Sequence, residues 1–211
     1  MKNLVLICLL VCCKSFFAQR SDSAQYKKVY TSITEAYKEP LKVYRLNLSN
    51  LPIDSFPIKL SQFKNLQHLY LNYDHLEFIP TEIADLENLR VLQLCGDNFK
   101  TLPPEFSRLK NLEEIYLNVN KKIDLTQSVK VMSSLPKLHV LHLENDGIVA
   151  LPGNFSMLTH LEKLYLNDNK LTEVPQQLKD VKTLKYVEIQ NNSFSPYYIN
   201  KYKTFGVKIK F

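Results

Sequence analysis

Glycine is scarce in this chain, with four among 211 residues, and tryptophan is absent. Phosphate-cradling loops need glycine so that backbone can approach the ligand, so a nucleotide-binding loop of that kind is not expected. Long apolar runs are also rare. Leu4 to Cys13 is unbroken, but it is shorter than the roughly 20 residues a membrane-spanning helix needs. Lys2 precedes it, and the small residue Ala18 stands before Gln19. Residues 1–18 therefore read as a cleaved export signal, and no membrane span is expected. A retained anchor is one alternative. Lipidation at Cys12 or Cys13 is another, although neither Val11 nor Cys12 is the small residue that usually precedes a lipidated cysteine.

Cysteine is nearly absent once the leader is set aside. Cys8, Cys12 and Cys13 leave with it, and Cys95 remains alone. The mature chain then has no internal disulfide and is held by its core. Loss of Lys2 and Lys14 lowers the net charge from +6 to +4. That balance is too mild to argue for a polyanion.

Catalytic constellations are missing too. His139 and His142 are three residues apart in an expected strand, not on the helix that an HExxH metal pair needs. No Cys/His cluster has zinc spacing, and GxSxG is absent. Neither a cofactor nor an enzymatic role is expected. Cys95 falls at an outward strand position among the neutral residues Gln93, Asn72 and Asn118. An exposed thiol is expected there, without the electropositive setting that makes a reactive thiolate.

What the chain does have is repetition. In LEKLYLNDNKLTEVP, leucines fall at 161, 164, 166 and 171 and Val174 follows. Neither strict alternation nor a helical beat accounts for that spacing. Near copies start at residues 43, 66, 89, 112, 138, 161 and 184, so the period is 23 residues except for one step of 26. Seven units tile residues 41–205. Five carry a proline signature: SFPIKL, FIPTEI, TLPPEF, ALPGNF and EVPQQL.

The pattern LxxLxLxxNxLxxLP resembles the leucine-rich repeat family, bacterial secreted type, and so does the leader. The resemblance implies an α/β fold: a right-handed solenoid, or horseshoe, with a parallel sheet on its concave side. It also implies export to the periplasm or the cell surface. Simple geometry agrees with the spacing. Leu164 and Leu166 face inward from a short strand while Tyr165 and Asn167 face out. Leu171 re-enters the core after the turn, and Val174, Leu178 and Val181 follow along the convex return. One coil cannot bury its apolar side alone, so the coils stack.

The turn after each strand leaves buried backbone groups that need partners. An asparagine amide both donates and accepts, so a file of them can bridge the coils. That structural ladder position holds Leu51, Asp74, Asp97, Asn120, Asp146, Asn169 and Asn192. An ionised aspartate accepts but cannot donate, so its rungs should satisfy fewer groups.

Unit four is three residues longer and lacks the proline signature. Leu125, Val129, Met132 and Leu135 recur there at helical steps behind Asp124, which predicts a capped helix. The ends need covers. Residues 19–40 predict an N-terminal cap helix, with Tyr26, Val29, Ile33, Ala36 and Tyr37 near one face and Pro40 ending it. PYYINKY reads as the last helical return. Residues 206–211 alternate as a closing strand, with Lys208 and Lys210 blunting its edge. Both caps together suggest a complete chain.

Three columns of side chains face out from the expected sheet. The central one runs Asn47, Tyr70, Gln93, Tyr116, His142, Tyr165, Glu188, and the third includes Asn118, Glu144 and Asn167. Tyrosine offers large contact area at low entropy cost, which suits a protein interface. Tyr70, Gln93, Tyr116, Asn118, His142, Glu144, Tyr165 and Asn167 are the candidate partner-binding residues. The expected function is a secreted, monomeric, non-enzymatic module that holds a protein ligand. A glycan-binding, adhesive surface component is the alternative, with the tyrosines stacking on sugars. Glu114, Glu144 and Glu188 on the same face argue against nucleic acid.

Overall fold

Each repeat folds as one coil that opens with a short strand. The computed structural model describes residues 26–50, 59–195 and 206–211. The predicted leader, Leu51 and the PYYINKY return lie outside these residues. The strands are β1 (Val29–Tyr30), β2 (Arg45–Asn47), β3 (His68–Tyr70), β4 (Val91–Gln93), β5 (Glu114–Tyr116), β6 (Val140–His142), β7 (Lys163–Tyr165), β8 (Tyr186–Glu188) and β9 (Lys208–Lys210). They form one parallel sheet in chain order, each strand hydrogen-bonded to the next. Register advances by whole repeats, so Leu69 lies beside Leu92, Leu92 beside Ile115, and Ile115 beside Leu141.

The repeat strands β2 to β8 stop after three residues because the backbone turns left-handed soon afterwards. Positive φ occurs just before every described ladder position: Tyr73 (60°), Gly96 (76°), Val119 (65°), Asn145 (58°), Asp168 (58°) and Asn191 (54°). Gly96 also has to be small, because a Cβ there would lie 2.2 Å from the ring of Tyr73.

The proline signature has its own structural effect. Pro80, Pro103, Pro152 and Pro175 stand at the N-caps of 3-10 turns over Thr81–Asp85, Pro104–Arg108, Gly153–Met157 and Gln176–Asp180. Each proline fixes φ close to −60°, and such tight turns are stable in short pieces. Each turn drives a large apolar side chain into the core, Ile83, Phe106, Phe155 or Leu178, and the first buries Ala84 as well. These meet the inward leucines of the strands in one continuous hydrophobic cluster.

Unit four departs from its neighbours as its sequence predicts. Helix α2 (Leu125–Met132) replaces the 3-10 turn, and Asp124 caps it by accepting from the Gln127 N–H at 3.1 Å. Val129 and Met132 face the core. The closing strand is also as expected, with Lys208 and Lys210 exposed and Ile209 half-buried. The N-terminal cap differs in extent. Tyr26 and Lys27 are helical, but Val29–Tyr30 form β1, and the helix α1 (Ile33–Ala36) that follows is a single turn capped by Ser32. Val29 and Tyr30 pair with Arg45 and Leu46. The reason is the bare edge of β2, whose backbone groups a strand satisfies and a helix would leave open. Tyr30 and Ala36 are still buried against the first coil.

Candidate binding face

The register sets the columns. Asn47, Tyr70, Gln93, Tyr116, His142, Tyr165 and Glu188 lie side by side across β2 to β8. Alternation sends the residue between each pair of columns inward, as Leu69 and Leu164 do.

At the centre of the sheet three rings form a file. His142 stacks on Tyr116 at 3.8 Å between centroids, with 10° between planes. It stacks on Tyr165 at 4.4 Å and 3°. Tyr186 closes the file at a tilt, 5.9 Å from Tyr165. Gln93 separates Tyr70 from these rings and instead accepts from the Asn72 amide at 3.1 Å.

Two carboxylates hold the edge of the imidazole. His142 Nε2 lies 2.9 Å from Glu114 Oε1, and Nδ1 lies 3.3 Å from Glu144 Oε2. Burial alone would lower the pKa of His142, but hydrogen bonds and charge from both glutamates outweigh it and raise the value above 6.5. The same bonds hold Glu114 and Glu144 below the usual carboxylate range. Burial and the Glu114 carboxylate push the phenol of Tyr116 up. Further along, Glu188 accepts from Tyr186 Oη at 2.9 Å and Lys210 Nζ at 2.8 Å.

Asn118 and Asn167 have a second role, which sequence reasoning missed. Both amides donate to Glu144, at 2.8 and 3.3 Å. Their side-chain oxygens, however, accept backbone N–H groups of the next coil, from Glu144 at 3.1 Å and Gln190 at 2.8 Å. Asn72 does the same for Cys95 at 3.0 Å. The third column is thus partly a structural file, and the recurrence of asparagine at 72, 118 and 167 was its signal. Glu114 was missed as a site residue as well. It belongs to the first column, but beside small, buried Val140 it reaches diagonally to His142.

Cys95 is half-buried rather than fully exposed. Burial pushes its thiol up to about 11, so it is a poor nucleophile at neutral pH. Strand phase alone does not report the next coil, whose Asn118 backbone N–H donates to the thiol.

Behind the face runs the asparagine ladder. Asn169 Nδ2 donates to the carbonyls of Leu143 and Leu166 at 2.7 and 3.0 Å, and its Oδ1 accepts from Asp146 and Ile148 at 3.1 and 3.0 Å. Asn120 donates to Leu94 and Leu117 and accepts from Asp97. Asn192 donates to Leu166 and Ile189 and accepts from Leu171. Asp97 Oδ1 accepts from Asp74 and Leu76, and Asp146 Oδ1 accepts from Asn120.

Among the described residues no group of three or more His, Cys, Asp or Glu side chains could hold a metal ion. Within the same residues no helix is long and apolar enough to cross a membrane.

A family model described as "Leucine rich repeat" matches residues 64–121 and 136–194, more than half of the chain. The gap between the two matches contains α2. No curated protein matches. Many solved structures are similar, three of them as follows. A leucine-rich repeat protein of Leptospira interrogans is 25% identical with a TM-score of 0.54, over 87% of this chain and 58% of that one. The Drosophila Toll–Spätzle complex gives 23% and 0.65, over 76% and 22%. The leucine-rich repeat domain of the type III effector XopL gives 20% and 0.59, over 75% and 55%. The chain therefore spans about half, or less, of the length of these proteins.

Proposed function

The chain belongs to the leucine-rich repeat family, and from that premise we propose that it is an exported, non-enzymatic module that holds a protein partner on its concave sheet. The observation that carries this reading is the Tyr116–His142–Tyr165 file with its carboxylate frame. The rings are locked by stacking and the imidazole by two glutamates, so little side-chain entropy is left to lose on binding. Locked aromatic bodies with polar tips are what a protein interface uses as anchors. The Toll–Spätzle complex is a likeness in fold only, but it is a protein complex and consistent with this reading.

The stacking disfavours a glycan. A sugar needs an open ring face, and here His142 already takes one face of Tyr116 and one of Tyr165. A non-enzymatic role is supported by the same geometry, since His142 is committed to Glu114 and Glu144. Export rests on the apolar run from Leu4 to Cys13 and the small residue Ala18. A monomer is favoured because short strands, β1 and β9, end the sheet.

The test is capture of partners from secreted and membrane extracts by the chain from Gln19 and by a Tyr116→Ala, His142→Ala, Tyr165→Ala variant of confirmed fold. A protein retained by the parent and lost by the variant is the expected result. Equal retention by both would remove the concave file as the binding site. Binding of oligosaccharides but of no protein would favour the glycan reading instead.

A further inference from the structure

The ladder contains a chemical inconsistency that the repeat itself resolves. At Asn120, Asn169 and Asn192 the amide nitrogen donates to backbone carbonyls of its own coil and of the coil before. At Asp97 and Asp146 an oxygen stands in place of that nitrogen. In each, Oδ1 is satisfied by backbone N–H groups, while Oδ2 is buried without a hydrogen-bond partner. By repeat register the groups around Oδ2 are again carbonyls, those of Leu71 and Leu94 for Asp97 and of Leu117 and Leu143 for Asp146. A bare carboxylate oxygen facing carbonyl oxygens is repelled and unsolvated, whereas a carboxylic acid has the missing donor.

We propose that Asp97 and Asp146 are protonated in the folded coil stack, each acid O–H donating to one of the carbonyls that an asparagine amide serves at other rungs, so the solenoid is tightest in mild acid. The surroundings agree. Facing Asp97 are Asp74 and His75 from the preceding turn, Cys95 on its own coil and Asn120 from the next. Facing Asp146 are Asn120 and Asn169 on either side, Glu144 on its own coil and, two coils back, Cys95. Burial pushes Asp97 up to about 6, against hydrogen bonds from Leu76 and Asp74 and a smaller opposing charge from His75. Burial pushes Asp146 up to about 7, against the Asn120 N–H and with added repulsion from Glu144. Both rungs adjoin Asn120, at turns that follow Cys95, Asn118 and Glu144. Loss of the two protons therefore loosens the third column of the concave face. This inference concerns the fold and stands whether or not that face binds a protein.

The direct test is a carbon-13 titration of the aspartate carboxyls in the full chain, assigned through bonds. The expected result is an acid signal from both residues at about pH 5, converting to carboxylate between about pH 5 and 8. Carboxylate signals from either residue throughout that range would overturn the inference for it. Thermal unfolding of the parent and of an Asp97→Asn, Asp146→Asn variant gives a second reading. The parent should lose on the order of 10 °C in Tm relative to the variant over the same rise in pH. An equal loss in both would also overturn the proposal, since His142 titrates alike in the two proteins. If the variant does not fold, the carboxyl titration of the parent decides alone.

Discussion

His142 couples three columns of the sheet through one side chain, and its proton can be followed. A neutral imidazole donates through one nitrogen, yet both nitrogens lie against carboxylates. Only the imidazolium satisfies both. Its raised folded pKa means that its contribution to stability is fully present below the unfolded value of 6.5 and is lost as pH rises through the folded value. The paired Glu114 and Glu144 behave oppositely: their contribution is present above 4.5 and is lost as pH falls through their lowered values. Proton NMR of the ring should show a midpoint above 6.5 in the parent and a lower one in Glu114→Gln. A midpoint that ignores the glutamine would break the link between the two residues. Val119 presents a different local problem. It is β-branched, yet it sits at a φ of 65° where the other described coils use asparagine, aspartate, glycine or, once, the unbranched Tyr73. Val119→Asn keeps the backbone bond to the Glu144 carbonyl and removes strain of about 1 kcal/mol. The expected result is a Tm a few degrees higher, and a lower Tm would mean that packing of the valine matters more.

The coil is the element of this molecule, and its asparagine rung is what ties one coil to the next. Asn169→Ala would strip donors from the Leu143 and Leu166 carbonyls and an acceptor from two N–H groups. The cost is about 3 kcal/mol, seen as a fall in Tm on the order of 5–10 °C by calorimetry. An unchanged melt would show that water replaces the side chain freely. Much of the coil was legible from residues alone. Period-two alternation assigned the outward columns, and the helical steps of Leu125, Val129 and Met132 predicted α2. Other features were not, because they depend on contacts between coils. Val29 and Tyr30 fit a helical face as well as they fit a strand, and only the open edge of β2 decides between them. Glu114 meets His142 across a diagonal that a column-by-column reading never pairs. Asn118 and Asn167 look like surface polar residues until the N–H groups of the next coil are placed beneath them.

At the scale of the whole molecule the solenoid is a stack, and each coil is stabilised mainly by its neighbours. Its weak points are therefore its ends. β9 covers the C-terminal edge by pairing with β8, so that Val187 lies beside Ile209 and Glu188 beside Lys210. Phe211 adds an edge-to-face contact with Phe194 at 5.7 Å. Lys208 and Lys210 point outward on β9, where a further strand would have to bury or crowd their charges. Removing residues 206–211 takes away the lysines with the strand and leaves the backbone of β8 open. The same cut frees Glu188 from Lys210 and bares the buried Val187 and Ile189 of the last coil. The shortened chain should self-associate with increasing concentration in sedimentation velocity and unfold at a lower temperature than the full chain. Replacing Lys208 and Lys210 with threonine separates the two contributions. The closing strand then remains and stability should change little, while loss of the charges should by itself promote edge-to-edge association. A shortened chain that stays monomeric and melts like the parent would mean that the β8 edge needs no cover, and that the lysine-flanked strand has another use.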